Sequence, residues 1–128
     1  MPETLPRVLV VEDDDATAEM FSEMLVLSGN DVQRAKDGRQ AMAALSARRP
    51  DLILLDLMMP DLDGLAFLAQ LRADVRTHNL PVIVISAKGL PSDIDTAMTA
   101  GAVAYFTKPV SFQELKAAVS RALRAAES

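Results

Sequence analysis

Acidic residues stand where apolar runs stop. Glu12-Asp13-Asp14 follows Val8-Leu9-Val10-Val11, and Asp56 closes Leu52-Ile53-Leu54-Leu55. A third run, Val82 to Ile85, ends in the hydroxyl of Ser86, and a fourth, Tyr105-Phe106-Thr107, ends in Lys108. Two carboxylates about 4 Å apart repel by roughly 4 kcal/mol at an effective dielectric near 20. If Glu12, Asp13 and Asp56 are crowded together, either a carboxyl pKa rises or a cation binds. The chain has no Cys and a single His, so the available donors are hard oxygens. Such donors favour Mg²⁺ or a similar ion, which typically takes one or two carboxylates, several waters and a phosphate oxygen. That donor set points to phosphate chemistry.

Each residue alone has an ordinary reading. Glu12–Asp14 could cap the next helix, Asp56 could sit in a turn, Ser86 could be a loop hydroxyl and Lys108 a solvated charge. What weighs against coincidence is that all four fall at strand ends of one sheet. Arg7–Glu12, Asp31–Lys36, Asp51–Asp56, Leu80–Ser86 and Ala102–Thr107 read as strands. Between and after them, residues 15–28, 38–48, about 64–75, 92–100 and 112–125 read as helices, with LMMPDLDG as a loop before the third. The first helix places Met20, Phe21, Met24 and Leu25 at helical spacing. The last opens on a Ser111/Glu114 capping box and offers Phe112, Leu115, Val119 and Ala122 as its buried stripe. Five strands alternating with five helices call for an α/β fold: a five-stranded parallel sheet, doubly wound, with helices on both faces. In open sheets of this kind ligands bind at the carboxyl ends of the strands. The acids, the hydroxyl and the lysine all gather on that rim.

The 128 residues fit one compact domain, 7–126, behind a loose tail at 1–6, with no output domain expected in this chain. The formal charge of −5 argues against direct nucleic-acid binding. No apolar stretch is long enough to span a membrane, so a cytoplasmic protein is expected. There is no G-x-x-x-x-G-K-[ST] phosphate loop and no G-x-G-x-x-G after the first strand, which removes two common nucleotide sites. His78 falls between the third helix and the fourth strand, away from the rim.

Four segments, VLVVEDD at 8–14, LILLDLMMPDLDG at 52–64, PVIVISA at 81–87 and AGAVAYFTKP at 100–109, resemble the receiver domain of two-component response regulators. Their order and separation match as well, over about residues 6–125. The resemblance implies the flavodoxin-like strand order 2-1-3-4-5. It implies that Asp56 is the phosphoacceptor and that Asp13, Glu12, Asp56 and the backbone carbonyl of Met58 hold Mg²⁺ (or Mn²⁺). Ser86 would bond the phosphoryl oxygens, Lys108 would neutralise their charge, and Ser86 and Tyr105 would form the switch. A cis bond before Pro109 is implied too, and Met58 and Lys88 fall at the two positions that flank the approach of a hydrolytic water. The implied partners are a histidine kinase or a histidine phosphotransfer protein upstream and an unknown protein downstream, met by the surface of the fourth helix, fifth strand and fifth helix. Val103 and Ala104 stand where the DNA-binding branch carries acids for its dimer, so a monomer or a different interface is expected.

Three other readings fit the residues less well. A pseudo-receiver acting only as a binding module should lack Asp56, Lys108 or an acid, and none is missing. An aspartyl-phosphate phosphatase would resemble D-x-D at its nucleophile, whereas Asp56 is followed by Leu57 and Met58, and no residues remain for a substrate domain. A flavin-binding protein would need a hydroxyl-rich loop where this chain has Glu12–Asp14. The expectation is therefore a phosphoacceptor signalling domain and not an enzyme.

Overall fold

The computed structural model describes residues 5–127; of the expected N-terminal tail, Met1–Thr4 lie outside the described residues. Five parallel strands form the central sheet: β1 (Arg7–Val11), β2 (Asp31–Ala35), β3 (Leu52–Asp56), β4 (Val82–Ser86) and β5 (Ala104–Thr107). Their spatial order is β2-β1-β3-β4-β5, the order implied by the resemblance. The helices are α1 (Asp15–Leu27), α2 (Gly38–Ala47), α3 (Gly64–Ala73), α4 (Pro91–Thr99) and α5 (Phe112–Glu127).

The central strands β1, β3 and β4 are apolar at nearly every position because both sheet faces are covered there, whereas the edge strand β2 is polar. Alternate residues serve alternate faces. Leu9, Val11, Ile53, Leu55, Val82 and Val84 pack with Ala41, Phe67, Leu68, Leu71 and Ala97 from α2, α3 and α4. Val8, Val10, Leu52, Leu54, Ile83 and Ile85 pack with Phe21 and Leu25 of α1 and Leu115, Ala118 and Val119 of α5. Each such Val, Leu, Ile or Phe side chain, fully buried, stabilises the fold by about 1.5–3 kcal/mol relative to exposure.

Two helices stop in the same way. Gly29 (φ 90°) and Gly101 (φ 114°) take the left-handed conformation. The next residues then donate back into the helix, Asn30 N–H to Leu25 and Ala102 N–H to Ala97, at 3.0 and 3.1 Å. This closure explains why β5 begins at Ala104 and not at Ala102: the Ala102 amide is already committed to α4. β4 begins at Val82 because Pro81 has no N–H for the ladder. The 57–63 stretch, expected as plain loop, folds back as a small antiparallel pair, Met58–Met59 against Leu62–Asp63. Of the expected α5 stripe, Leu115 and Val119 are buried while Phe112 and Ala122 are half-buried, with the Lys116 ammonium 6.0 Å from the Phe112 ring centroid. On α1, Phe21 and Leu25 are buried, Met24 is half-buried and Met20 is 41% exposed. α1 buries Ala18 in place of Met20, and α5 buries Ala118.

Among the described residues no helix is long and apolar enough to cross a membrane.

Candidate functional site

The parallel ladders bring four strand ends to one rim. Leu55 and Asp56 of β3 pair with Val84 and Ile85 of β4, and Val11 of β1 pairs with Leu55. Glu12 follows β1, Asp56 ends β3, Ser86 ends β4 and Lys108 follows β5. Glu12, Asp56 and Ser86 are buried, at 1%, 6% and 0% exposure. Each of the three carboxylates Glu12, Asp13 and Asp56 offers an oxygen within 4.8 Å of the others.

Lys108 joins this cluster. Its Nζ lies 2.8 Å from Glu12 Oε1 and 3.1 Å from Asp56 Oδ2. Its own backbone N–H donates to the Ser86 carbonyl at 2.9 Å, which fixes the side chain's origin on the neighbouring strand. The Lys108–Pro109 bond is cis. Burial pushes the Glu12 carboxyl above its ordinary value; the Lys108 ammonium and the Asp14 amide pull it down, and the Asp56 charge adds to the rise. Burial opposes the Lys108 charge, yet its bonds to Glu12 and Asp56 hold the ammonium above its ordinary value. Three carboxylates against one ammonium leave an excess of negative charge in a largely buried cleft. A hard divalent cation fits that excess, and the all-oxygen donor set fits Mg²⁺.

The rest of the rim is ordered by hydrogen bonds. Asp56 Oδ1 accepts from Met58 N–H at 2.9 Å. Asp14 caps α1, accepting from the Thr17 amide and hydroxyl at 2.8 and 2.6 Å, and these bonds lower its pKa. The Ser86 hydroxyl accepts from Lys88 N–H at 3.2 Å, and the Tyr105 hydroxyl donates to the Lys88 carbonyl at 2.5 Å. Ser86, Lys88 and Tyr105 are thus linked to one another through the loop before α4. Met58 and Lys88 line a single cleft of about 360 Å³ together with Leu57 and Asp93. His78 is exposed, with Nδ1 3.0 Å from the Val75 carbonyl, remote from this cluster in the fold.

One residue that bonds the acid loop is not legible as such in the sequence. Arg34, in the middle of β2, bonds the carbonyls of Glu12 and Asp13. The only signal for it is a charged residue inside a strand that borders the acid run.

Gly64 supports the loop after Asp56. A Cβ there would stand 2.7 Å from Leu57 Cδ2 and 2.9 Å from the Leu57 Cα. The second of these is backbone and cannot turn aside. Gly64→Ala is therefore expected to cost about 1–2 kcal/mol through overpacking, read as a lower urea midpoint with an unchanged slope.

Comparison with known proteins agrees with this geometry. A family model described as the response regulator receiver domain matches residues 8–120. The DNA-binding dual master transcriptional regulator RpaA of Synechocystis sp. is 40% identical over 120 residues, 94% of this chain and 50% of that protein. The transcriptional regulatory protein PrrA of Mycobacterium tuberculosis is 41% identical over 121 residues, 94% of this chain and 51% of that protein. The chain thus spans about half the length of these relatives. Among solved structures, the receiver domain of Francisella response regulator 1452 superposes with a TM-score of 0.87 at 33% identity, covering 94% of this chain and 98% of that one. The Vibrio cholerae chemotaxis protein CheY4 gives a TM-score of 0.86 at 27% identity, covering 93% and 99%.

Proposed function

The chain belongs to the response regulator receiver domain family, and from that premise we propose that Asp56 is its phosphoacceptor. The observation that carries this reading is the Lys108 ammonium bound at once to Asp56 and Glu12, with Asp13 alongside, on one rim. No family feature needed for the chemistry is missing, so the reading as a non-phosphorylated binding module is not supported.

The donor is a phosphohistidine on a histidine kinase or a histidine phosphotransfer protein. One carboxylate oxygen of Asp56 attacks the phosphorus in line while the bond to the donor nitrogen breaks. Glu12, Asp13, the Asp56 carboxylate and the Met58 carbonyl are the groups that would hold Mg²⁺, which when bound would offset charge on the phosphoryl oxygens. Lys108 Nζ, already aimed at Asp56, contributes a second positive charge at those oxygens. The Met58 N–H orients the acceptor carboxylate from the other side. Ser86, freed from the Lys88 amide, bonds a phosphoryl oxygen. Because Lys88 also accepts from Tyr105, that change reaches the ring of Tyr105 and the surface of α4, β5 and α5. Two packings of this loop, shifted in population by phosphorylation, would signal to a downstream protein. The reaction is one stoichiometric transfer in a cytoplasmic signalling domain, and the receiver itself requires no contact with nucleic acid or membrane.

Incubation with acetyl phosphate and Mg²⁺ tests the proposal. Intact-mass analysis should show one added phosphoryl group, and peptide mapping should place it at Asp56. A chelator should abolish it. Labelling that persists in the chelator, or maps to another residue, would contradict the assignment.

The lifetime of the product is open to prediction as well. Met58 is 49% exposed and apolar, and Lys88 offers no acceptor lone pair while charged. Neither can serve as a strong acceptor for the proton of a water attacking phosphorus from their shared cleft. The double change Met58→Asn with Lys88→Glu introduces two groups that can. Decay after donor removal should quicken by about tenfold, the equivalent of one added hydrogen bond to the attacking water. An unchanged decay would show that these two side chains do not set the lifetime.

A further inference from the structure

Arg34 lies on β2, a strand that contributes no residue to the phosphoacceptor cluster, yet its guanidinium is spent on the loop that carries two of the acids and on the start of α1 behind it. Nε and Nη2 both donate to the Glu12 carbonyl, at 3.1 and 3.0 Å, and Nη2 also donates to the Asp13 carbonyl at 3.1 Å. Nη1 pairs with Asp15 Oδ1 at 2.8 Å. Beside this fork the Glu12 N–H donates to the Ala35 carbonyl at 3.0 Å, so β2 grips the acid loop at three adjoining backbone groups. Both bonded carbonyls lie beyond the end of β1, past its strand pairing.

The physical need for such a grip is plain. Glu12 and Asp13 are successive acids facing Asp56, and mutual repulsion favours a loop that splays them apart. A planar, permanently charged fork holds two peptide planes in one orientation, which an ammonium on a flexible stem does less well. The contacts are to backbone carbonyls and not to the cluster carboxylates, so Arg34 leaves the acids' oxygens available while fixing where they point.

We propose that Arg34 is a positioning residue for the cation site, holding the Glu12–Asp13 backbone in the geometry that lets both carboxylates face Asp56. This rests on the reading of Glu12, Asp13 and Asp56 as the Mg²⁺ ligands. Positioning and simple electrostatics predict opposite signs. Removing a nearby positive charge alone would tighten binding of a divalent cation. Removing the grip would weaken it, by about tenfold, as is usual when a group that orients metal ligands is lost.

The test is titration calorimetry of the full chain with MgCl₂ alone, for wild type, Arg34→Met and Arg34→Lys, with thermal unfolding of each apo protein and amide NMR spectra as separate readouts. Arg34→Met should bind Mg²⁺ about tenfold more weakly, with shifted Asp13 and Asp14 amides. Arg34→Lys, which keeps the charge and one point donor, should fall between. Equal or tighter binding by Arg34→Met overturns the inference while leaving the cation site itself intact. Weakening in Arg34→Met with full wild-type affinity in Arg34→Lys would show that a single point donor holds the loop as well as the planar fork, and would also overturn it. If Arg34→Met does not fold, the folded Arg34→Lys protein decides, since positioning by the fork requires that it too bind more weakly. Wild type that binds no Mg²⁺ overturns the reading of the ligands and this inference together.

Discussion

Asp56→Asn is expected to abolish phosphorylation by acetyl phosphate while leaving the domain folded, and at least as stable as wild type. The two halves of this expectation have separate causes. An amide oxygen is a poor nucleophile toward phosphorus, so the acceptor is lost outright. The amide nevertheless preserves local structure: its oxygen can still accept from the Met58 N–H, the bond that Asp56 Oδ1 makes at 2.9 Å. Removing the Asp56 charge also relieves Glu12, whose carboxyl is raised first by burial and further by the Asp56 charge. Lys108 remains paired through its 2.8 Å contact with Glu12 Oε1. Intact-mass labelling and a urea unfolding curve on the same sample check both halves. Residual labelling of the variant would move the acceptor to another residue, and Asp13 would be the first to examine. A large loss of stability would mean that the Asp56–Lys108 contact holds the fold together more than the repulsion it offsets.

The strands and their rim were legible because burial on both faces leaves uninterrupted apolar runs, and the polar residue that ends each run is then conspicuous. Glu12, Asp56, Ser86 and Lys108 were found in this way. Their meeting at one place follows from parallel pairing, since every strand then ends at the same edge of the sheet. What the runs do not encode is the direction of side chains from outside the rim. Arg34 sits in a polar edge strand, where a charged residue is unremarkable, and only the pairing of β2 with β1 in register from Arg7 with Asp31 to Val11 with Ala35 brings it to Glu12. The Met58–Asp63 fold-back leaves no mark in the sequence because two-residue strands are too short to show a period. The half-burial of Phe112 and Ala122 has a related reason. Helical spacing marks a face of about the right width, but its edges are set by neighbouring helices that the spacing does not describe.

Lys108→Met is expected to slow phosphorylation of Asp56 by about 10²–10³-fold, the usual consequence of removing one preorganised donor aimed at developing charge. Methionine keeps an unbranched stem of similar length, so packing beside the sheet should survive. What disappears is the ammonium that bridges Glu12 and Asp56. In the wild-type protein that cation already touches the acceptor at 3.1 Å, so it need not be recruited as the phosphoryl group arrives. Without it, Glu12 and Asp56 face each other unscreened in a site where they are 1% and 6% exposed. Two consequences separate a chemical role from a structural one. The rate should fall in single-turnover labelling even at saturating Mg²⁺, because a divalent cation offsets the carboxylates but does not replace the Lys108 N–H donors. Stability should fall by about 1–3 kcal/mol in the apo protein, less than for breaking a fully buried pair because Lys108 is 26% exposed, and Mg²⁺ should restore much of it. A variant that recovers both stability and rate on adding Mg²⁺ would reduce Lys108 to a structural counter-ion. One that recovers stability but stays slow would establish that its ammonium acts on the phosphoryl group itself.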